Sequence, residues 1–287
     1  MRPNVEGLHG EQITLNDEEF YLLNEVIEAK LGLCFPEHKR AILEARLRPR
    51  IQTLHLSSFM DYYLLLQSKP DDEAGELAKL ATNNETYFFR ERGQFESLVS
   101  HAIGRLEASL AHPGKLRVLC AGCSSGEEAY TLNFYFKDHH SQMRGLEPHI
   151  DAFDIDGDRL GIARRSTCRQ RSLREMTDAQ ISKYLTETES DRHEVRSQYR
   201  AGVNFSLGNI IDVETFQRPL PYDVVFCRNV PIYFSDAMLR RAIDNFSEVL
   251  RPGGFLFLGH SESIIGMTKR LEAVRVAGSI VYRRVAT

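Results

Sequence analysis

The run Arg117-Val-Leu-Cys-Ala-Gly-Cys-Ser-Ser-Gly-Glu-Glu-Ala-Tyr130 has the pattern of a buried strand, a glycine loop and a helix that begins on two carboxylates. Gly122 and Gly126 let backbone approach a ligand closely. Loops that cradle phosphate share these first two parts. Glu127 and Glu128 argue against an anion, because the positive start of the helix is already matched by negative charge. A ligand with hydroxyls, an amine or a positive centre fits better.

Other polar residues fall where further strand patterns end. Asp154-Ile-Asp156 ends the second. One carboxylate matches two adjacent hydroxyl donors, so Asp154 suits a ribose, and Asp156 suits the N-cap of the next helix. Gly208-Asn-Ile-Ile211 ends the third, where an amide and an apolar residue can recognise an adenine edge and cover its face. Arg228-Asn-Val-Pro-Ile-Tyr-Phe234 ends the fourth, polar and then aromatic. In open α/β sheets ligands sit beyond the carboxyl ends of the strands. Together these ends describe a nucleoside cofactor without a phosphate cradle. S-adenosylmethionine fits, with adenine, ribose, an amino-acid end and a sulfonium. NAD fits less well, because Gly-x-Gly-x-x-Gly is missing and two glutamates hold the pyrophosphate position.

Other chemistries have weaker support. Cys120-Ala-Gly-Cys123 has the spacing of a redox or zinc pair, but no second pair accompanies it and the ten histidines show no ligand spacing beyond His139-His140. No metal is expected, and Cys120 reads as strand packing. His260-Ser261 lacks the Gly-x-Ser-x-Gly elbow of a hydrolase.

The elements that must position these residues come next. From Leu116 onward strands and helices alternate. Strands are expected at Arg117–Cys120, His149–Asp154, Val203–Leu207, Asp223–Cys227 and Gly254–Gly259, then at Val274–Val276 and Ser279–Arg283, joined at Gly278 as an antiparallel hairpin. Helices are expected at Glu127–Lys137, Asp158–Ser166 and Asp236–Leu250. The pattern is that of an α/β, largely parallel sheet with helices on both faces. Residues 166–200 break it with a helix-like Thr177–Leu185 and short strands around His193–Gln198. This stretch is too long for a connection and reads as an insertion carrying partner or substrate specificity. Before the sheet, Asn83-Asn-Glu-Thr-Tyr-Phe-Phe-Arg90 leads into a helix with Phe95, Leu98, Val99, Ala102, Leu106 and Leu110 at helical spacing.

Residues 13–82 read as four short amphipathic helices. Asn16 and Glu19 form a capping box ahead of Phe20, Leu23, Ile27 and Leu31. A second helix spans His38 to Leu54, with Ile42, Leu43 and Leu47 on its apolar side and Pro49 expected to kink or end it. Lys39, Arg46 and Arg50 share one face of it. Five Lys/Arg and two acids between Glu37 and His55 make this a local +3 in a chain of net charge −4, either a solvated face or a docking surface for an acidic helix. Ser58 opens a third helix with Phe59, Tyr62, Tyr63 and Leu66 inward. Lys69-Pro-Asp-Asp reads as a turn before a fourth helix, Glu73–Ala81.

Of the 287 residues, 42% are hydrophobic and 26% charged, enough for one large or two smaller domains. The small net charge implies no nucleic-acid or membrane electrostatics. Five cysteines, an odd number, read as free thiols in a reducing cytoplasm. No signal peptide or membrane span is expected.

Five strings in order, Asn84-Glu-Thr-Tyr-Phe-Phe-Arg-Glu91, Gly122-Cys-Ser-Ser-Gly-Glu-Glu128, Asp154-Ile-Asp156, Phe226-Cys-Arg-Asn-Val-Pro-Ile-Tyr-Phe234, and Leu250-Arg-Pro-Gly-Gly254 with Gly259-His-Ser-Glu-Ser263, resemble the bacterial chemotaxis receptor methyltransferases of the CheR type. The likeness runs from about residue 17 to 283, and the first and fourth strings together are specific to that class. It implies a small all-α domain over 13–82 and a class I, Rossmann-like methyltransferase domain over 83–287, with a small antiparallel β-subdomain inserted near 166–200. It implies methyl transfer from S-adenosylmethionine, leaving S-adenosylhomocysteine, to glutamate side chains in the cytoplasmic helical region of membrane chemoreceptors. Carried over by motif position, Asn84, Thr86, Arg90, Gly122, Glu128, Asp154, Asn209, Ile210, Asn229 and Val230 bind the cofactor. Arg90 and Tyr233 are the catalytic candidates, with Tyr233 near the transferred methyl and Arg90 pairing with the cofactor carboxylate or orienting the substrate's. Lys39, Arg46 and Arg50 resemble the receptor-facing surface, and the β-subdomain is a candidate grip for a receptor's C-terminal tether peptide. The expected protein is a cytoplasmic monomer recruited to receptor arrays, with no nucleic-acid partner and no membrane insertion. A cofactor-binding adaptor of the same fold, docking on a signalling protein, is the alternative. Two positions depart from the pattern. Ala129 stands for a proline at a helix start. Pro231 stands for a larger apolar residue, removes a backbone donor and biases Val230 toward extended geometry.

Phe88, Phe89, Tyr233 and Phe234 are expected to supply a dry, aromatic lining for this chemistry.

Overall fold

Within the first strand of the sheet, neighbouring side chains go to opposite faces. Leu116, Val118 and Cys120 join one buried cluster, and Leu119 and Ala121 join another. A strand buried on both faces needs apolar residues throughout, and the sequence at 116–121 supplies them but for Arg117. The computed structural model describes residues 13–106, 114–143, 145–188, 191–216 and 220–286. The expected apolar position at Leu110 lies outside them. The chain divides into two units, one holding residues 13–30 and 34–81, the other Leu31–Leu33 and everything described from Thr82 onward.

The first unit is all helical. Helix α1 (Asp17–Leu31) starts at a reciprocal cap: Asn16 N–H donates to Glu19 Oε2 (3.1 Å) and Glu19 N–H to Asn16 Oδ1 (2.9 Å). A 3-10 turn at Glu37–Lys39 leads into α2 (Arg40–Thr53). The helix runs through Pro49 to Thr53 and does not end there, contrary to one expectation. Leu43, Leu47 and Ile51 are its buried positions, and Ile42, expected inward, is 46% exposed because it lies off that stripe. Ser58 caps α3 (Phe59–Ser68), accepting from Asp61 N–H; Phe59, Tyr62 and Leu66 are buried while Tyr63 is only half-buried. Helix α4 (Pro70–Ala81) begins at Pro70 rather than after a turn; a proline is pre-set for a first helical position.

The second unit opens with α5 (Arg92–Ser97), one π turn (Leu98–Ala102) and α6 (Ile103–Leu106). Strands β1 (Lys115–Ala121), β2 (Glu147–Asp154), β6 (Val203–Leu207), β7 (Tyr222–Cys227) and β8 (Leu250–Leu258) pair in parallel, and β9 (Leu271–Val276) and β10 (Ser279–Arg284) close one edge antiparallel. The order is β6-β2-β1-β7-β8-β10-β9. The β9–β10 hairpin turns at Ala277 and Gly278, both with positive φ (48° and 86°), as a tight two-residue turn requires. Helices α7 (Glu127–Asp138) and α8 (Gly157–Arg165) contribute to the cluster on one face, and α10 (Asp236–Val249) to the cluster on the other. This is the layout that the resemblance implies, with the parallel β1 and β7 meeting where the strand order reverses.

Between β2 and β6 the chain builds a second, antiparallel sheet of β3 (Thr167–Arg169), β5 (Arg192–Val195) and β4 (Leu185–Thr188), in the order β3-β5-β4. Helix α9 (Asp178–Tyr184) precedes β4 and starts at a Thr177–Gln180 capping box.

Candidate active site

The loops after β1, β2, β6 and β7 converge at the carboxyl ends of the strands. Gly122 has φ +79°, and a Cβ there would lie 2.6 Å from Val230 Cγ2, so only glycine fits without displacement. Gly122 and Cys123 N–H both donate to the Phe153 carbonyl (2.9 and 3.0 Å), tying the loop to the end of β2. Ser124 N–H donates to Asp154 Oδ2 (2.7 Å) and Asp156 N–H to Asp154 Oδ1 (2.9 Å). Each oxygen keeps acceptor capacity for a further donor. Burial raises the Asp154 carboxyl above its usual range, against the pull of these backbone hydrogen bonds. Asp156 caps α8, accepting from Asp158 and Arg159 N–H, and its other oxygen accepts from Asn84 Nδ2 (2.8 Å). Asn84 also reaches Thr82 Oγ1 and Ser124 Oγ. The structure therefore brings Asn84, Gly122, Asp154 and Val230 together.

Arg228, directly after β7, is the cation of this region. Its side chain is 1% exposed. Nη1 lies 3.0 Å from Glu128 Oε2, and Nη2 lies 3.0 Å from Glu91 Oε2 and donates to the Arg90 carbonyl at 2.7 Å. Its Cζ lies 5.0 Å from the Phe95 ring centroid. Burial raises the Glu128 carboxyl, only partly offset by Arg228; Glu91 also feels burial, but Arg228 and the Asn229 amide outweigh it and hold that carboxyl below its usual range. Cys120 is strand packing whose thiol donates to Glu128 Oε1 (3.3 Å), and burial raises both Cys120 and Cys123 thiols.

Glu262 organises the neighbouring loop. Its carboxylate accepts from Gly259 (2.6 Å), Asn229 (3.1 Å) and Ile232 (3.3 Å) N–H. Val230 is in the α region (φ −112°, ψ −47°), not extended as Pro231 suggested. Pro231 opens a 3-10 turn whose closing bond runs from Tyr233 N–H to Val230 O (3.0 Å). At a first helical position the missing N–H has no partner to lose, so the turn overrides the proline's bias. The Tyr233 hydroxyl accepts from Asn83 Nδ2 (2.7 Å).

Arg90 is half-buried; Nη1 donates to the Glu85 carbonyl (2.8 Å), and its Cζ lies 5.5 Å from the Tyr87 ring centroid. Phe89 and Glu91 on either side have φ +61° and +54°, and Ser124 and Asn229 are likewise left-handed. Such backbone costs about 1–2 kcal/mol at a residue with a side chain and persists only where its surroundings hold it. Thr86 is half-buried in the same loop. Phe88 and Phe89 belong to the core, against Phe134 and Tyr135, rather than to an open lining. Tyr233 and Phe234 are half-exposed. Asn209 and Ile210 are buried; Asn209 Oδ1 accepts from Ile211 N–H (3.3 Å), and Asn245 Nδ2 donates to the Ile210 carbonyl (2.9 Å).

The basic residues of α2 and its preceding turn lie in the helical unit, half-buried with Lys39 among them. Arg46 Nη1 donates to the Ala81 carbonyl (2.6 Å), and Arg50 Nε donates to Glu73 Oε2 (3.1 Å).

Sequence reasoning passed over Arg228, Glu91, Glu262 and Asn83. Arg228 carried a signal: an arginine directly after six buried strand residues must find carboxylates nearby.

Asp154 thus ends β2 with a buried carboxylate, Asn209 and Ile210 follow β6, Glu128 lies in the first turn of α7, and Arg90 is half-buried. Over residues 84–279 the chain matches the family described as CheR methyltransferase, SAM binding domain, and over 18–82 the one described as CheR methyltransferase, all-alpha domain. It is similar to chemotaxis protein methyltransferase 2 of Vibrio cholerae (33% identical over 274 residues, 94% of each chain). It is similar also to the chemotaxis protein methyltransferases of Klebsiella aerogenes (34%, covering 88% of this chain and 86% of the relative) and Escherichia coli K12 (32%, 95% and 92%).

Proposed function

The chain belongs to the CheR methyltransferase family and uses S-adenosylmethionine, and on that footing we propose that it methylates glutamate carboxylates on the cytoplasmic helices of chemoreceptors. The observation that carries this reading is the convergence of Asn84, Gly122, Glu128 and Asp154 with the Asn229–Tyr233 loop at one end of the sheet. The cofactor, when bound, supplies an electrophilic methyl on a sulfonium cation. Asp154 would hold the ribose hydroxyls, Asn209 and Ile210 the adenine, Glu128 the amino group and Arg90 the carboxylate of the amino-acid end. Asn84, Thr86, Asn229 and Val230 complete the binding surface. Arg90 has five donors and uses one on the Glu85 carbonyl, which leaves a charged fork for a carboxylate.

The substrate carboxylate, with an ordinary pKa of about 4.3, is ionised at neutral pH. No general base is needed. An anion meets a cation, and charge disappears on the way to products, so exclusion of water favours the reaction. The protein's task is alignment, and Tyr233, fixed by Asn83, is placed in the role of orienting the substrate oxygen.

Lys39, Arg46 and Arg50 on the 13–82 domain are the proposed receptor-facing residues, and the small sheet of the 83–287 domain the proposed grip for a receptor tether peptide. In this reading the protein works as a monomer in the cytoplasm; among the described residues no helix is long and apolar enough to cross a membrane. The adaptor reading rests on Pro231, which opens the 3-10 turn after Val230; methyl transfer decides between the two readings.

The test is transfer of labelled methyl to receptor fragments. Label released by mild base marks carboxyl esters. Base-stable label, or none on fragments with several glutamates, overturns the substrate assignment.

A further inference from the structure

We infer that Arg228 is the positioning residue of this site, setting the backbone of Arg90 and the carboxylate of Glu128 in one rigid piece. The inference rests on the proposed roles of those two residues.

The geometry is that of a three-way junction. One guanidinium, 1% exposed, faces the first turn of α7 through Glu128, the start of α5 through Glu91, and the Arg90 carbonyl. The planar fork of an arginine presents donors in fixed directions, which a lysine cannot do. The segment it grips does not adopt its shape unaided. Phe89 and Glu91 are both left-handed around Arg90, so the direction in which the Arg90 side chain leaves the backbone depends on two unfavoured conformations. The Phe89 ring is anchored below by Phe134 and Tyr135, and Phe89 N–H donates to Thr131 Oγ1 (3.2 Å). On the other side of Arg90 the fixed groups are Glu91, ion-paired to Arg228 and bonded by Asn229 Nδ2 (3.3 Å), and the carbonyl held by Arg228 itself. Arg228 also precedes Asn229, whose own left-handed backbone (φ +59°) starts the loop carrying Val230 and Tyr233. One residue thus bears on the cofactor-facing loop, on Glu128 and on the loop of Tyr233.

The test uses the whole protein without relying on turnover. Arg228→Lys keeps the charge and loses the fork. Glu91→Gln keeps the size and the Asn229 contact and loses the ion pair. For each, S-adenosylhomocysteine binding is measured by calorimetry, amide hydrogen exchange is measured in the free protein, and thermal unfolding serves as the control. The expected result for Arg228→Lys is an affinity loss of about 10-fold or more, as for a lost charged hydrogen bond, with faster exchange confined to residues 88–91 and a fold intact at the assay temperature. Glu91→Gln should give the same exchange pattern with a smaller affinity loss. Wild-type affinity and wild-type exchange at 88–91 in Arg228→Lys overturn the inference, as does a lowered melting temperature with both unchanged. If the wild-type protein itself fails to bind S-adenosylhomocysteine, the functional reading falls, and faster or unchanged exchange at 88–91 still decides the inference.

Discussion

Asn83 Nδ2 donates a 2.7 Å hydrogen bond to the Tyr233 hydroxyl, joining residues 150 positions apart in the chain. The hydroxyl accepts in this bond, so the bond leaves its proton for another acceptor, and the ring is held in one place relative to the Asn84–Arg90 segment. Removing the hydroxyl therefore tests positioning without disturbing the cofactor groups. Tyr233→Phe should lower turnover about 10-fold, the worth of one lost hydrogen bond, with S-adenosylhomocysteine affinity unchanged. An unaltered rate of methyl transfer rules out the role.

Arg90→Ala removes the one cation assigned to the carboxylate of the amino-acid end. A charged hydrogen bond contributes about 1.5–3 kcal/mol and a fork supplies two. Methyl transfer should fall by at least about 100-fold, and calorimetry should show cofactor binding weakened with it. Near-wild-type turnover would sink the assignment.

Gly122→Ala meets two obstacles, a φ of +79° and a Cβ 2.6 Å from Val230 Cγ2. The left-handed backbone alone costs about 1–2 kcal/mol, and Val230 must also shift. Thermal unfolding should move down by several degrees, and cofactor affinity should fall more steeply than stability. A variant as stable and as tight-binding as wild type would show that the loop has room to spare.

The Glu128 carboxyl is held above its ordinary 4.5 by burial, in spite of Arg228. It therefore takes up its proton at a higher pH than the unfolded chain would. Above its folded pKa the buried charge costs stability, and that cost is relieved as pH falls through the folded pKa toward 4.5. Ligand binding has the opposite sign, because the amino cation then meets a neutral acid. S-adenosylhomocysteine affinity should decline as pH is lowered from neutral, starting above the range of an exposed glutamate. Glu128→Gln should bind about 10-fold more weakly at neutral pH and lose this dependence, as titrations across the range would reveal.

The strand-and-helix alternation from Leu116 on was readable because buried parallel strands are apolar on both faces and the helices are not. The helix starts at Asn16 and Ser58 were legible because a cap joins residues only three positions apart. What the pattern could not show were relationships between distant residues. Pro49 is tolerated because the helix has packing to lean on, and Pro231 because it falls at the start of a turn. Phe88 and Phe89, polar neighbours notwithstanding, go to the core beneath α7. Arg228 needed three partners from three elements, and no spacing rule announces that. The arginines of α2 looked like a free basic face, yet Arg46 and Arg50 also bond within their own helical unit.

The bond from Arg228 to the Arg90 carbonyl spans 138 residues, and this separation has a bearing on how the protein is made. Contacts so distant in sequence form late, since a long loop must close before they return any stability. A growing chain that has reached only the end of β2 already holds the glycine loop, Asp154 and the Thr131, Phe134 and Tyr135 anchors of Phe89, but Glu91 and the Arg90 carbonyl lack Arg228 until β7 has been synthesised and docked. Competence to bind the cofactor should therefore appear in one step, after the fourth parallel strand joins the sheet, and not gradually as the strands accumulate.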